Sequence, residues 1–313
     1  MERTTFDPGL TQQYGGRLRR TINPDGSFNV VRKGFGFRDA GVYLHLINMS
    51  WPRFFVLVVA GFFVVNLLFA GAYLAAGIEN LEGSNRTSSG GALQSAIFFS
   101  VHTLTTVGYG SLAPRGWTVN SIAAIETMIG LMSFAVATSL LFARFSRASA
   151  NVVFSRKMIV SPFQEKTALM LRIANRRPNV LMELEAKVLL MTVEGEPGNL
   201  RRRFRDLPLE RPHVHFLPLS WTIVHTIDES SPLKGWGPAE LAAAQAEVLV
   251  LIKGFDDTFG QSVHSRYAYP HDEIVWGARF PPAFNINDDG ELVLELDRLH
   301  QFEAADLAAT DAR

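Results

Sequence analysis

Two long apolar runs constrain this chain more than any other feature. Phe54 to Ala76 is 23 residues with one polar side chain of note, Asn66. At about 1.5 Å rise per residue such a helix reaches roughly 35 Å, enough to cross a bilayer core with some tilt. Ile122 to Ala143 is a second run, interrupted by Glu126, Thr127, Ser133, Thr138 and Ser139. The first run starts too late and is too long for a secretory signal, and no small-residue cleavage pattern precedes it. Two such runs flanking one short loop imply a pair of membrane spans rather than buried soluble helices.

Between them, Ala92 to Val101 is apolar and helix-compatible but too short to span. That length suggests a re-entrant segment. Non-helical backbone survives at membrane depth only when buried in protein or lining a water-filled path. The sequence Thr106-Val107-Gly108-Tyr109-Gly110 follows. It is the known signature of a potassium selectivity filter, in which carbonyl rings replace the hydration shell of the ion. Gly108 and Gly110 permit backbone angles that turn successive carbonyls one way. The Thr106 hydroxyl would add the innermost ring of oxygens. Val107 and Tyr109 would face away from the ions and pack behind the strand. K+ is expected at Thr106, Val107, Gly108 and Tyr109. One chain supplies a quarter of each ring, so a closed cyclic homotetramer is expected. K+ enters as permeant ligand, and no cofactor is expected.

Orientation follows the basic residues. Arg3, Arg17, Arg19, Arg20, Arg32, Lys33, Arg38 and Arg53 precede the first span, and Arg144, Arg147, Arg156 and Lys157 follow the second. The loop from Gly77 to Trp117 holds only Arg86 and Arg115. Both termini are therefore expected in the cytoplasm of a multi-pass inner-membrane protein, with Trp51 and Trp117 at the interfaces. Val42, Tyr43, Leu46 and Ile47 share one helical stripe, which predicts a short amphipathic helix on the inner membrane surface.

The second span should line the pore. Phe134, Thr138 and Phe142 step by four residues along one face, and four copies of Phe142 could close a hydrophobic gate by dewetting. The alternative is helix-on-helix packing. Gly130 is a hinge or a close-packing point. Glu126 is the one formal charge in the span, and an intramembrane carboxylate faces protein interior or water. It either supports the filter by hydrogen bonding or adds negative potential to the cavity.

Beyond about Ala148 the apolar period changes to two. Met182–Val188 and Leu292–Leu296 alternate apolar with charged residues, and Leu169–Ala174, His215–Ile227, Glu247–Lys253 and Glu273–Phe280 are further β-rich runs. Pro, Gly, Asn and Asp fill the gaps, so an antiparallel sandwich is predicted. Zero net charge argues against nucleic acid as a partner. The lack of cysteine excludes disulfides and thiolate metal sites. No HExxH, G-x-S-x-G, Walker lysine or G-x-G-x-x-G pattern is present, so an enzyme is not expected.

The stretch Phe216-Leu-Pro-Leu-Ser-Trp-Thr-Ile-Val-His-Thr-Ile-Asp-Glu-Ser-Ser-Pro-Leu233 resembles the cytoplasmic signature of inward-rectifier potassium channels, as does Asp272-Glu-Ile-Val-Trp-Gly-Ala-Arg-Phe280. With the two-span pore the resemblance covers roughly residues 35–300 and is closest to the prokaryotic branch. It implies an immunoglobulin-like cytoplasmic domain, four of which extend the pore into the cytosol. It also implies gating coupled to the lipid bilayer, through anionic phospholipid or phosphoinositide. Arg144, Arg147, Arg156 and Lys157 are candidates for that contact, though ordinary positive-inside topology accounts for them equally. The implied fold class is membrane α, with two transmembrane helices and a re-entrant pore helix, plus an all-β immunoglobulin-like sandwich, in a homotetramer.

The chain departs from the resemblance at several places. His102 and Leu112 stand where many family members pair a pore-helix glutamate with an arginine past the filter. Phe134 holds the position that controls strong rectification. Of the acidic positions of the cytoplasmic pore, Glu183 is retained and two others are His213 and Lys253. Cytoplasmic Mg2+ and polyamines are thus expected to block only weakly. The expected organisation is a cytoplasmic N-terminal segment (1–37), an interfacial helix (38–50), a pore domain (51–147), a sandwich (148–302) and a mobile C-terminal tail (303–313), with residues 1–20 also mobile. Competing readings are a membrane-anchored sensor with a vestigial pore and a non-selective cation channel.

Overall fold

The structure is a computed structural model that describes residues 9–13, 20–31, 33, 41–85, 88–146, 151–196 and 199–307. The chain divides into two compact units, residues 32–147 and residues 1–31 with 148–313.

The first unit is helical. A short helix α1 (Val42–Asn48) precedes α2 (Trp51–Ala75), which starts three residues earlier than the apolar run because Pro52 is tolerated in the first turn. Arg38 and Asp39, expected at the start of the interfacial helix, lie outside the described residues. After α2 a short strand β1 (Leu81–Glu82) leads to α3 (Ser89–Leu104), whose cap is the Ser88 hydroxyl accepting from the Gly91 amide at 3.1 Å. Strand β2 (Ala113–Pro114) pairs with β1 and is followed by α4 (Gly116–Phe145). With 16 residues α3 reaches about 24 Å, short of the roughly 30 Å of a bilayer core. Tyr73, Ala96, Phe99 and Val119 pack α2, α3 and α4 together. Only 17% of the most apolar window of α2 and 11% of that of α4 is buried, whereas a soluble core helix would be mostly covered. Phe55, Phe63, Leu67, Leu68, Leu131 and Phe134 stay exposed, as lipid-facing or subunit-facing side chains must be in a single chain.

The second unit is a β-sandwich. Its strands begin with β3 (Val152–Phe154), β4 (Met158–Phe163), β5 (Lys166–Asn175), β6 (Leu181–Glu194), β7 (Arg201–Asp206), β8 (His213–Phe216) and β9 (Ser220–Ile227). A one-turn helix α5 (Pro238–Ala243) precedes β10 (Glu247–Asp256), β11 (Gln261–Pro270), β12 (Ile274–Trp276) and β13 (Ala278–Arg279). The hairpin of β14 (Phe284–Ile286) with β15 (Leu292–Leu294) and the final β16 (Glu303–Ala304) complete it. One sheet runs β11-β10-β6-β7 with β8 also on β6, and the other runs β12-β4-β5-β3 with β9 also on β5. The core lies between them. Leu169, Leu171 and Ile173 of β5 meet Leu184, Ala186 and Val188 of β6 and Val248 and Val250 of β10 at the spacing of two that sets strand faces.

Several expectations change. The sandwich is not wholly antiparallel, because β12 runs parallel to β4. The run His215–Ile227 breaks into β8 and β9 around Pro218, which has no amide hydrogen for a ladder. Glu273–Phe280 splits at Gly277, whose φ is +65°. Leu296 leaves the strand for a 3-10 turn, and Leu292 is exposed. Neither tail is free along its described part. Glu303–Ala304 pairs with Ala278–Arg279, and Gln13 bridges Arg201. Residues 20–28 dock on the sheet, where the Thr21 amide and hydroxyl both donate to buried Glu247, at 2.8 and 2.5 Å, and Ile22 is buried among Met191, Phe204 and Leu249.

His225 sits in the β9 signature as a satisfied core group. Its Nδ1 lies 2.7 Å from the Pro208 carbonyl and its Nε2 2.8 Å from Ser231 Oγ. Burial holds the imidazole below its ordinary value near 6.5, against the Pro208 carbonyl and the Asp228 and Asp206 carboxylates. The unfolded chain therefore binds the extra proton first, and stability falls as pH drops below about 6.5. We expect β9 amides of the full chain to lose exchange protection as pH falls below about 6.5, and His225→Gln to flatten that slope. Protection in the unsubstituted chain that does not change over this range would refute the assignment.

Candidate functional site

The loop after α3 is built by its own helix end. The Val107 amide donates to the His102 carbonyl at 2.9 Å and the Gly108 amide to the same oxygen at 3.3 Å. Thr106, Gly108 and Gly110 have φ of +61°, +56° and +78°. Every second residue is thus left-handed, the alternation that lets successive carbonyls turn to one side. Two of the three positions are glycine and were legible in the sequence, whereas left-handed Thr106 was not. Residues 105–111 are all exposed, so among the described residues nothing covers this strand. Tyr109 is 75% exposed and meets the His102 ring edge-on, with ring centres 4.9 Å apart. The packing expected behind the strand is therefore not supplied within one chain. Leu112 packs against the α2–α3–α4 core, and no His102–Leu112 ion pair is possible.

A buried polar chain joins the three long helices α2, α3 and α4. Tyr73 of α2 donates its hydroxyl to Glu126 Oε2 of α4 at 2.5 Å, and Glu126 Oε1 lies 2.5 Å from Ser100 Oγ of α3. Ser100 Oγ also lies 3.0 Å from Asn66 Oδ1 of α2. Glu126 is completely buried, which removes the cavity-facing alternative left open by the sequence. Asn66 is legible as the one polar side chain of note in its run and Glu126 as the one formal charge in its run, but Tyr73 and Ser100 carry no signal. At Gly130 an added Cβ would stand 2.1 Å from the Leu104 carbonyl oxygen, so this glycine is a close-packing point in an unbroken helix.

Phe134, Thr138 and Phe142 are exposed along α4. Arg144 is half-buried and already engaged within the chain. Its guanidinium donates to the carbonyls of Leu46 and Met49 at 2.6 and 2.7 Å and lies over the rings of Trp51 and Phe54. It ties the end of α1 to α4, using the fork that lysine lacks. Arg147 lies outside the described residues. Arg156 is exposed, and Lys157 donates to the Asp272 carbonyl at 3.1 Å. Glu183 stands at a bulge in β6 with φ of +48°, exposed, and 3.1 Å from His215 Nδ1. Lys253 and His213 both stand opposite Glu185 in the sheet.

Two spans around a re-entrant helix and an exposed carbonyl-rich strand define a pore-forming channel subunit. The family description "Inward rectifier potassium channel C-terminal domain" matches residues 152–313, and "Ion channel" matches residues 54–147. The inward rectifier potassium channel Kirbac3.1 of Paramagnetospirillum magnetotacticum is 40% identical over 291 residues, 91% of this chain and 96% of that one. Human ATP-sensitive inward rectifier potassium channel 11 is 27% identical, across 90% of this chain and 78% of that one. The rat G protein-activated inward rectifier potassium channel 2 is 25% identical, across 91% and 72%. The chain belongs to the inward-rectifier potassium channel family. It is a potassium-channel subunit and not an enzyme, and tetramers are typical of its family.

Proposed function

We propose that four copies of this chain close a ring around the strand Thr106–Gly110 and pass dehydrated K+ through it. Stacked oxygens of Thr106, Val107, Gly108 and Tyr109 hold the ion. The observation that carries this reading is the alternation of left-handed backbone at Thr106, Gly108 and Gly110 on a strand that its own chain leaves bare. Glu126 supports the filter from behind. Phe134, Thr138 and Phe142 line the pore below, with Phe142 as the hydrophobic gate. Arginine excess before α2 and after α4 supports cytoplasmic termini in an inner membrane. Anionic phospholipid or phosphoinositide sets the gate together with the cytoplasmic domain. The support for a lipid contact is the charge of Arg156, Lys157 and Arg147, while Arg144 acts structurally. His215 beside Glu183, and Lys253 and His213 opposite Glu185, support weak block by Mg2+ or polyamines.

The test is radioactive rubidium uptake into liposomes holding the purified tetramer, with and without phosphoinositide. Uptake that barium blocks and sodium does not support is the expected result. Equal sodium flux would establish a non-selective pore, and no flux under any lipid condition a vestigial one.

A further inference from the structure

Counting donors in the chain behind the filter loop locates a proton. The Asn66 amide nitrogen donates to the Phe62 carbonyl at 2.7 Å. This contact sets the orientation of the amide, because the flipped form would press two acceptor oxygens together. Asn66 therefore offers its oxygen to Ser100 Oγ, 3.0 Å away. Ser100 has one hydroxyl proton. Its oxygen also lies 2.5 Å from Glu126 Oε1, a second acceptor if the carboxyl is ionised. Tyr73 already uses its own proton on Oε2. An ionised Glu126 thus leaves one acceptor facing an oxygen without a hydrogen between them, in a site where Glu126 and Ser100 are both fully buried. One added proton resolves the count. Glu126 Oε1–H donates to Ser100, Ser100 donates to Asn66, and Asn66 donates to Phe62. Both carboxyl oxygens meet hydroxyls rather than cations, so nothing in this chain of contacts balances a negative charge.

We propose that Glu126 is a neutral positioning residue. In its acid form it joins α2, α3 and α4 through Tyr73, Ser100 and Asn66, and it adds no charge to the ion path. The role, though not the proton, rests on the pore reading given above.

The full-length tetramer in liposomes supplies the test. Glu126→Gln keeps one acceptor for Tyr73 and one donor for Ser100. It should leave rubidium uptake, potassium over sodium preference and barium sensitivity within about two-fold of the unsubstituted channel, whereas Glu126→Ala should lose selectivity by about ten-fold or more. Infrared spectra at neutral pH should contain the carbonyl stretch of a protonated carboxylic acid that Glu126→Gln removes. A missing band, or a Gln variant as impaired as the Ala variant, would overturn the proposal. If the unsubstituted protein passes no potassium yet shows the band, the proton assignment stands and the pore reading is what falls.

Discussion

Gly110→Ala channels should take up no more rubidium than empty liposomes. Gly110 has φ of +78°, and an L-residue held in the left-handed region costs about 1–2 kcal/mol relative to its relaxed form. A ring of four meets that cost four times, roughly 4–8 kcal/mol in all. The added methyl itself meets nothing within 4 Å in the single chain, so the helices around it are not forced apart. The strain is relieved by rotating the backbone, which turns a carbonyl out of the file and leaves the ion short of ligands. The tetramer should therefore survive on size-exclusion chromatography while flux disappears. A Gly110→Ala protein with the potassium preference of the original would refute the assignment of this strand as the filter.

The second large effect is on stability and assembly, with the ion path disturbed in consequence. Gly130→Ala puts a carbon 2.1 Å from the Leu104 carbonyl oxygen and 3.0 Å from its carbonyl carbon. Both are backbone atoms at the last turn of α3, so no flexible side chain yields to the methyl. Overpacking of this kind costs about 1–3 kcal/mol, and here the strain falls directly before the strand Thr106–Gly110. We expect a lower melting temperature in detergent, a smaller tetramer fraction and weaker barium block together. Gly61→Ala is the control, since nothing lies within 4 Å of its added carbon and alanine favours the helix by up to about 1 kcal/mol. If Gly130→Ala altered only opening and closing, with stability and barium block intact, the residue would be a hinge after all.

The two glycines differ in how much of their role is visible without coordinates. Gly110 belongs to a five-residue signature whose backbone demand can be argued from residue type. Gly130 is one of several glycines in apolar helices, and only the approach of α3 makes it indispensable. The same division runs through the sandwich. Strands β5, β6 and β10 carry strong period-two or continuous apolar patterns and were legible. Strand β7 reads Arg-Arg-Arg-Phe-Arg-Asp and offers no pattern, yet pairing with β6 and the carboxylate of Glu194 beside Arg203 and Arg205 hold it in the sheet. The one-turn α5 was missed because six residues are too few to establish a period.

By itself, then, the amino-acid order determined which segments are long and apolar enough to span a bilayer, which strand carries the filter signature, and which family the protein joins. These are properties of hydropathy, chirality and residue type, which act locally along the chain. Only the tertiary structure decided that Glu126 is enclosed by Tyr73 and Ser100, that Arg144 clamps Leu46 and Met49, and that both described tails are docked. Each of these depends on groups dozens of residues apart arriving at one place. No local preference encodes such a meeting, because the free energy that fixes it belongs to the contact and not to either partner alone.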